Sequence, residues 1–107
     1  MVVLQSSKFS TLNLATQHFE DRVHTIINHI AKNNQYLNEI SKTTGIDYSV
    51  LKNSLSPDDF KKSITNAHLG AHKSTAYLTK EKMEDLALKS GFFIVVVNEM
   101  INNPNIK

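Results

Sequence analysis

From about Leu12 to Asn33 the apolar positions Phe19, Val23, Ile26, Ile27 and Ile30 recur at three- and four-residue spacing, one stripe along a long first helix. Asn33 and Asn34 end that helix and cap the next, leaving hardly any linker. Ahead of it, Met1 to Ser10 show no clear period, and residues 1–11 read as an N-terminal arm, frayed or in a short strand. The stretch Leu37 to Ser56, LNEISKTTGIDYSVLKNSLS, then divides into two short helices about Gly45. The first turns Leu37 and Ile40 inward and reaches Ser41, small enough for a second helix to cross closely. Gly45 supplies a left-handed turn that a β-branched residue would resist. Asp47 caps the second helix, and Ile46 with Leu51 forms the hydrophobic staple that fixes its entry angle. Val50, Leu51 and Leu55 are expected to face the core, leaving Tyr48, Ser49, Lys52, Asn53 and Ser56 outward.

Ser56-Pro57-Asp58-Asp59 is a helix start, with a capping hydroxyl, proline at the first position and acids at the positive end of the dipole. The pattern predicts a short helix through about Asn66 with Phe60 and Ile64 inward. The following NAHLGAHKSTAYL carries little period and reads as an irregular excursion or a small hairpin. Thr79 caps a further helix over about Lys80 to Ser90, with Leu78 and Met83 as its staple, Leu86 and Ala87 inside and Gly91 as its stop. Phe92 to Val97 is rich in β-branched residues and on propensity alone suggests a buried strand. Helix is preferred, because Met83 to Asn102 repeats the first motif 46 residues later: Glu39 with Asp85, Ile40 with Leu86, Ser41 with Ala87, Gly45 with Gly91, Ile46 with Phe92, Leu51 with Val97. A second helical corner is therefore expected, without a polar outer face, acting as core and oligomer surface. The tail NNPNIK is expected to be loose.

The small residue at the crossing, the glycine four later, the aliphatic next to it and the aliphatic six beyond together resemble the DNA-reading unit of the Cro and lambda-repressor-like regulators. The expected fold is accordingly all-α: a single domain over 1–107, a compact bundle of five to six helices with a central helix-turn-helix at 37–56. C-terminal helices at 80–103 supply a dimer surface. A winged helix is the runner-up, its wing around Leu69 to His72.

Composition narrows the function classes. Hydrophobic residues make up 40% and charged residues 21%, as in ordinary globular chains. The absence of cysteine removes disulfide frameworks, thiolate metal sites and cysteine nucleophiles. No apolar run approaches the roughly 20 residues of a membrane span, and MVVLQSSKFS is too short a run for a signal peptide, so a soluble, cytoplasmic protein without membrane contact is expected. His68 and His72 have the spacing of two helical metal ligands, but a glycine lies between them and no H-E-x-x-H motif is present. His18, His24 and His29 do not stack on one helical face. With no nucleophile elbow and no phosphate-cradling glycine loop, neither catalysis nor a cofactor is expected.

Net charge is only +2, yet Lys42, Lys52, Lys61, Lys62 and Lys73 outnumber Asp47, Asp58 and Asp59 in the middle of the chain. These residues suit double-stranded DNA. In that reading Tyr48, Ser49, Lys52 and Asn53 meet base edges in the major groove, while Lys42, Thr43 and the amide end of the helix after Asn34 hold phosphate. The run from Ile40 to Leu86, with GIDYSVLKNSLSPDD followed by YLTKEKMEDL, resembles the phage regulatory CII family, in which an L-x-N-x-L-N-P-like segment precedes an L-T-x-x-E-L-like helix. The resemblance implies a sequence-specific transcription regulator of a phage or other mobile element, and the Phe92 to Met100 segment, more apolar than a lone small domain can hide, leads to the expectation of a homodimer or higher homo-oligomer. The alternative is a small protein-interaction module or inhibitor using the same scaffold without reading DNA.

Overall fold

The computed structural model describes residues 7–72 and 79–106, with the backbone alone for Ser7 and residues 67–72. Two 3-10 segments, Ser7–Leu12 and Leu14–Thr16, lead into α1 (Phe19–Ala31), α2 (Asn34–Thr44), α3 (Tyr48–Ser54), α4 (Pro57–His72) and α5 (Lys80–Asn102). Among the described residues there is no strand, and no helix is long and apolar enough to cross a membrane. Helix α1 lies along α4, α5 packs on both α4 and α2, and α2 joins α1 to α3.

Helices α2, α3 and α5 begin where a side chain takes up free amides, whereas His18 ahead of α1 makes no such bond. Asn33 Oδ1 accepts from the N–H groups of Gln35 and Tyr36 at 3.0 and 3.3 Å. Asp47 Oδ2 accepts from Ser49 N–H at 3.2 Å, and Thr79 Oγ1 from Lys82 N–H at 3.2 Å. These bonds satisfy donors that the helix leaves without an internal partner. The core is the expected α1 stripe of Val23, Ile26, Ile27 and Ile30, closed by Leu37, Ile40, Leu51, Leu55 and Phe60 and, from α5, by Val96, Val97 and Met100. All-helical architecture is thus as expected, with residues 92–97 helical.

Several boundaries differ from expectation, each for a packing reason. Helix α1 begins at Phe19 rather than near Leu12, because Asn13 takes a left-handed conformation (φ 54°) and Arg22 Nε bonds the carbonyls of Leu14 and Gln17 at 2.7 and 3.0 Å, folding that segment back on the helix. Phe19 itself is 57% exposed. The arm is no frayed end over its described part: Phe9 and Leu14 are buried in the core. The tail is likewise packed, with Ile106 and Asn103 buried and Lys8 Nζ donating to the Asn103 carbonyl at 3.0 Å. Helix α4 continues past Asn66 to His72, so the suggested wing at Leu69 to His72 is helical; the rest of the expected excursion, 73–78, lies outside the described residues, as does Leu78 of the staple.

Gly91 does not stop α5. The helix runs unbroken from Lys80 to Asn102, and Gly45 is the one described glycine with positive φ, so the second corner is absent. Burial explains the outcome: a glycine inside a helix costs about 1 kcal/mol, less than the apolar surface that Val96, Val97 and Met100 bury only if the helix continues. The same inward direction leaves Ala87 and Met83 exposed instead of packed.

Candidate nucleic-acid interface

The segment 33–56 is organised by three local devices. Gly45 closes α2 at φ 76°, ψ 3°, its N–H donating to the Ser41 carbonyl at 3.0 Å. The Ser41 hydroxyl bonds the Ile46 carbonyl at 2.6 Å across the turn, a role its small size permits. Asp47 then starts α3 with Leu51 fully buried beneath it. Together these bonds fix the direction of α3 relative to α2 by backbone geometry.

The outward side of α3 carries Ser49, Val50, Lys52, Asn53 and Ser54, all exposed. Among the described residues, the side chains of Lys52 and Asn53 make no hydrogen bond or ion pair, and no carboxylate stands on the helix after its cap. Val50, expected inside, is 50% exposed. In a seven-residue helix the inward face passes through Tyr48, Leu51 and Leu55 at spacings of three and four, and Val50 is out of that register. That rule was available from the sequence; apolar character alone concealed it.

The remaining candidates are more engaged. Tyr48 is half-buried, and its hydroxyl donates to Asn34 Oδ1 at 2.8 Å, tying α3 to the start of α2. Lys42 is exposed and lies 3.5 Å from Glu39, one helical turn before it. The Thr43 hydroxyl lies within bonding distance of the Glu39 and Ile40 carbonyls and 2.5 Å from Glu99 Oε2 on α5. Glu99 comes from 56 residues away, and nothing local in the sequence places it beside Thr43. A carboxylate there opposes an incoming phosphate. The amides at the start of α2 are occupied by Asn33. The structure therefore gathers Ser49, Lys52 and Asn53 with Val50 on one open face, and sets Lys42 and Thr43 among carboxylates at the end of α2.

Elsewhere, α1, α4 and α5 enclose an apolar groove of about 360 Å³ whose lining includes Phe19, Val23, Phe60, Ile64, Phe93 and the largely exposed Ile94. At its edge Ser63 donates to Asp85 at 2.5 Å, and Lys89 Nζ lies 2.6 Å from the same carboxylate. That pairing holds the Asp85 carboxyl below its usual range, Lys89 contributing most. Among the described residues no three His, Asp or Glu side chains are grouped so as to hold a metal ion. Comparison with protein-family models, with curated proteins and with solved structures gave no match to this chain.

Proposed function

We propose that this protein binds double-stranded DNA through a helix-turn-helix formed by α2 and α3, with α3 entering the major groove. The observation that carries the reading is the open face of α3: Ser49, Lys52 and Asn53 are unscreened by any carboxylate of their own helix while Leu51 anchors the opposite side. An asparagine edge pairs with adenine, a lysine with guanine or phosphate, and the exposed Val50 methyls suit the thymine methyl group. Lys42 adds a sequence-independent contact once phosphate replaces Glu39 as its partner. The resemblance to the CII regulators supports a transcription regulator of a phage or other mobile element.

The test is anisotropy of a labelled random duplex at about 50 and 200 mM salt, followed by selection of preferred sequences. DNA binding that weakens steeply with salt is expected. Lack of binding at either salt removes this reading and leaves the protein-interaction module.

A further inference from the structure

Helix α5 carries an apolar patch on the side facing away from its own core. Over two turns the outward arc is Ala87, Leu88, Gly91, Ile94 and Val95, all exposed and none charged. Leu88 is 73% exposed, Ile94 66% and Val95 41%. Single exposed aliphatics are ordinary; a contiguous set filling the outer face of a helix marks a contact surface.

We infer that this face pairs with the same face of a second copy, the two α5 helices running antiparallel across a two-fold axis at Gly91. On the outward face the positions symmetric about that residue are small or apolar near it and polar farther out. Three positions either side stand Leu88 and Ile94, four either side Ala87 and Val95, seven either side Glu84 and Asn98, eleven either side Lys80 and Asn102. In an antiparallel pair residues on the same flank of the seam meet: Leu88 sits against Val95 of the second copy, small Ala87 against Ile94, and the Lys80–Glu84 ion pair near the hydrogen-bonded amides of Asn98 and Asn102. One self-complementary patch thus serves both copies, as a two-fold interface requires. A parallel pair would instead set Glu84 against Glu84 and Lys80 against Lys80.

Gly91 supplies the second argument. It weakens the helix it sits in, and within its own chain a Cβ there would meet nothing within 4 Å. The monomer therefore gives no steric reason for glycine, whereas at the centre of a helix crossing it lets two backbones approach closely. The patch runs about 21 Å along the axis from Glu84 to Asn98. Covering it on both copies removes on the order of 1,000 Å², the lower bound for a specific interface. The inference does not depend on DNA binding.

The chain contains no cysteine, which makes cross-linking clean. Under mild oxidation Gly91→Cys should form an interchain disulfide in high yield, since a close crossing brings the two Cα atoms within disulfide reach. Leu88→Cys alone should not cross-link, but mixed with Val95→Cys it should give the heterodimer. Sedimentation of the parent should show a reversible dimer, and Ile94→Glu should be monomeric with an unchanged circular dichroism spectrum, since Ile94 is outside the core. If Leu88→Cys cross-links to itself and Gly91→Cys does not, the antiparallel geometry is wrong. A parent that stays monomeric to about 100 µM, or an Ile94→Glu variant as dimeric as the parent, overturns the interface altogether.

Discussion

Substituting Gly45 isolates the contribution of one backbone torsion. The residue sits at φ 76°, ψ 3°, a left-handed conformation that disfavours an L side chain by about 1–2 kcal/mol. A Cβ built there meets nothing within 4 Å, so neither a clash nor a displaced helix enters the reckoning. Gly45→Ala should therefore destabilise by about 1 kcal/mol, since alanine's lower entropy in the unfolded chain offsets part of the torsional strain. Gly45→Val adds the restriction of a branched Cβ and should reach about 2–3 kcal/mol. Gly45→Asn should stay close to the parent, because asparagine tolerates the left-handed region. For a domain of this size each kcal/mol moves the melting temperature by about 4 °C, so the three variants are separable in thermal melts at one protein concentration. Equal melts for Ala, Val and parent would refute the argument, as would an asparagine variant less stable than alanine.

The half-buried His29 ring, held between Phe9 and Tyr36 with its inaccessible Nε2 lacking a described partner, is made less basic by desolvation; the unfolded chain takes up the proton first, so this group's contribution to stability should be flat above pH 6.5 and fall as pH drops through it. Urea melts at about pH 8 and 5.5 measure this, and His29→Phe should flatten the difference; a parent equally stable at both pH values would contradict it. Val96→Glu should abolish folding, because Val96 is 0% exposed and an unpaired buried carboxylate is destabilising by several kcal/mol; a folded spectrum would contradict the packing of α5. Phe9→Ala should lose about 3–5 kcal/mol in urea denaturation, and an unchanged midpoint would return the arm to a loose end. If the duplex binds, Asn53→Ala should lower preferred-site affinity by about 1–3 kcal/mol and spare random DNA, while Lys42→Ala should weaken all sequences and reduce the salt slope by about one unit. Equal loss on both DNAs for Asn53→Ala would reject its role.

What was legible in the sequence is what short-range chemistry decides. The α1 stripe, the caps at Asn33, Asp47 and Thr79, and the left-handed Gly45 all follow from residues within one turn of each other. Gly91 misled because a glycine signals both a helix end and a helix contact, and only the burial of Val96, Val97 and Met100 decides between them. The repeat that paired Gly91 with Gly45 was a coincidence of spacing. Phe9, Asn103 and Ile106 escaped because their partners lie at the other end of the chain, beyond any periodicity. At the candidate interface the open face of α3 was readable. Glu99 beside Thr43 was not, since that carboxylate arrives from α5.

The bond from Lys8 to the Asn103 carbonyl spans 95 residues, and Phe9 and Ile106 share one core with everything between them. This closure sets a timetable for synthesis. A nascent chain that has emerged as far as His72 holds the residues of α1 to α4, yet Ile26, Ile40 and Leu51 have no Val96 or Met100 to close over them. The exposed interior persists until residues 96–106 follow, on the order of 2–7 s at ordinary elongation rates. During that interval the chain depends on chaperones or dilution to escape aggregation, and slowing elongation after His72 should lower the soluble yield more than slowing it before.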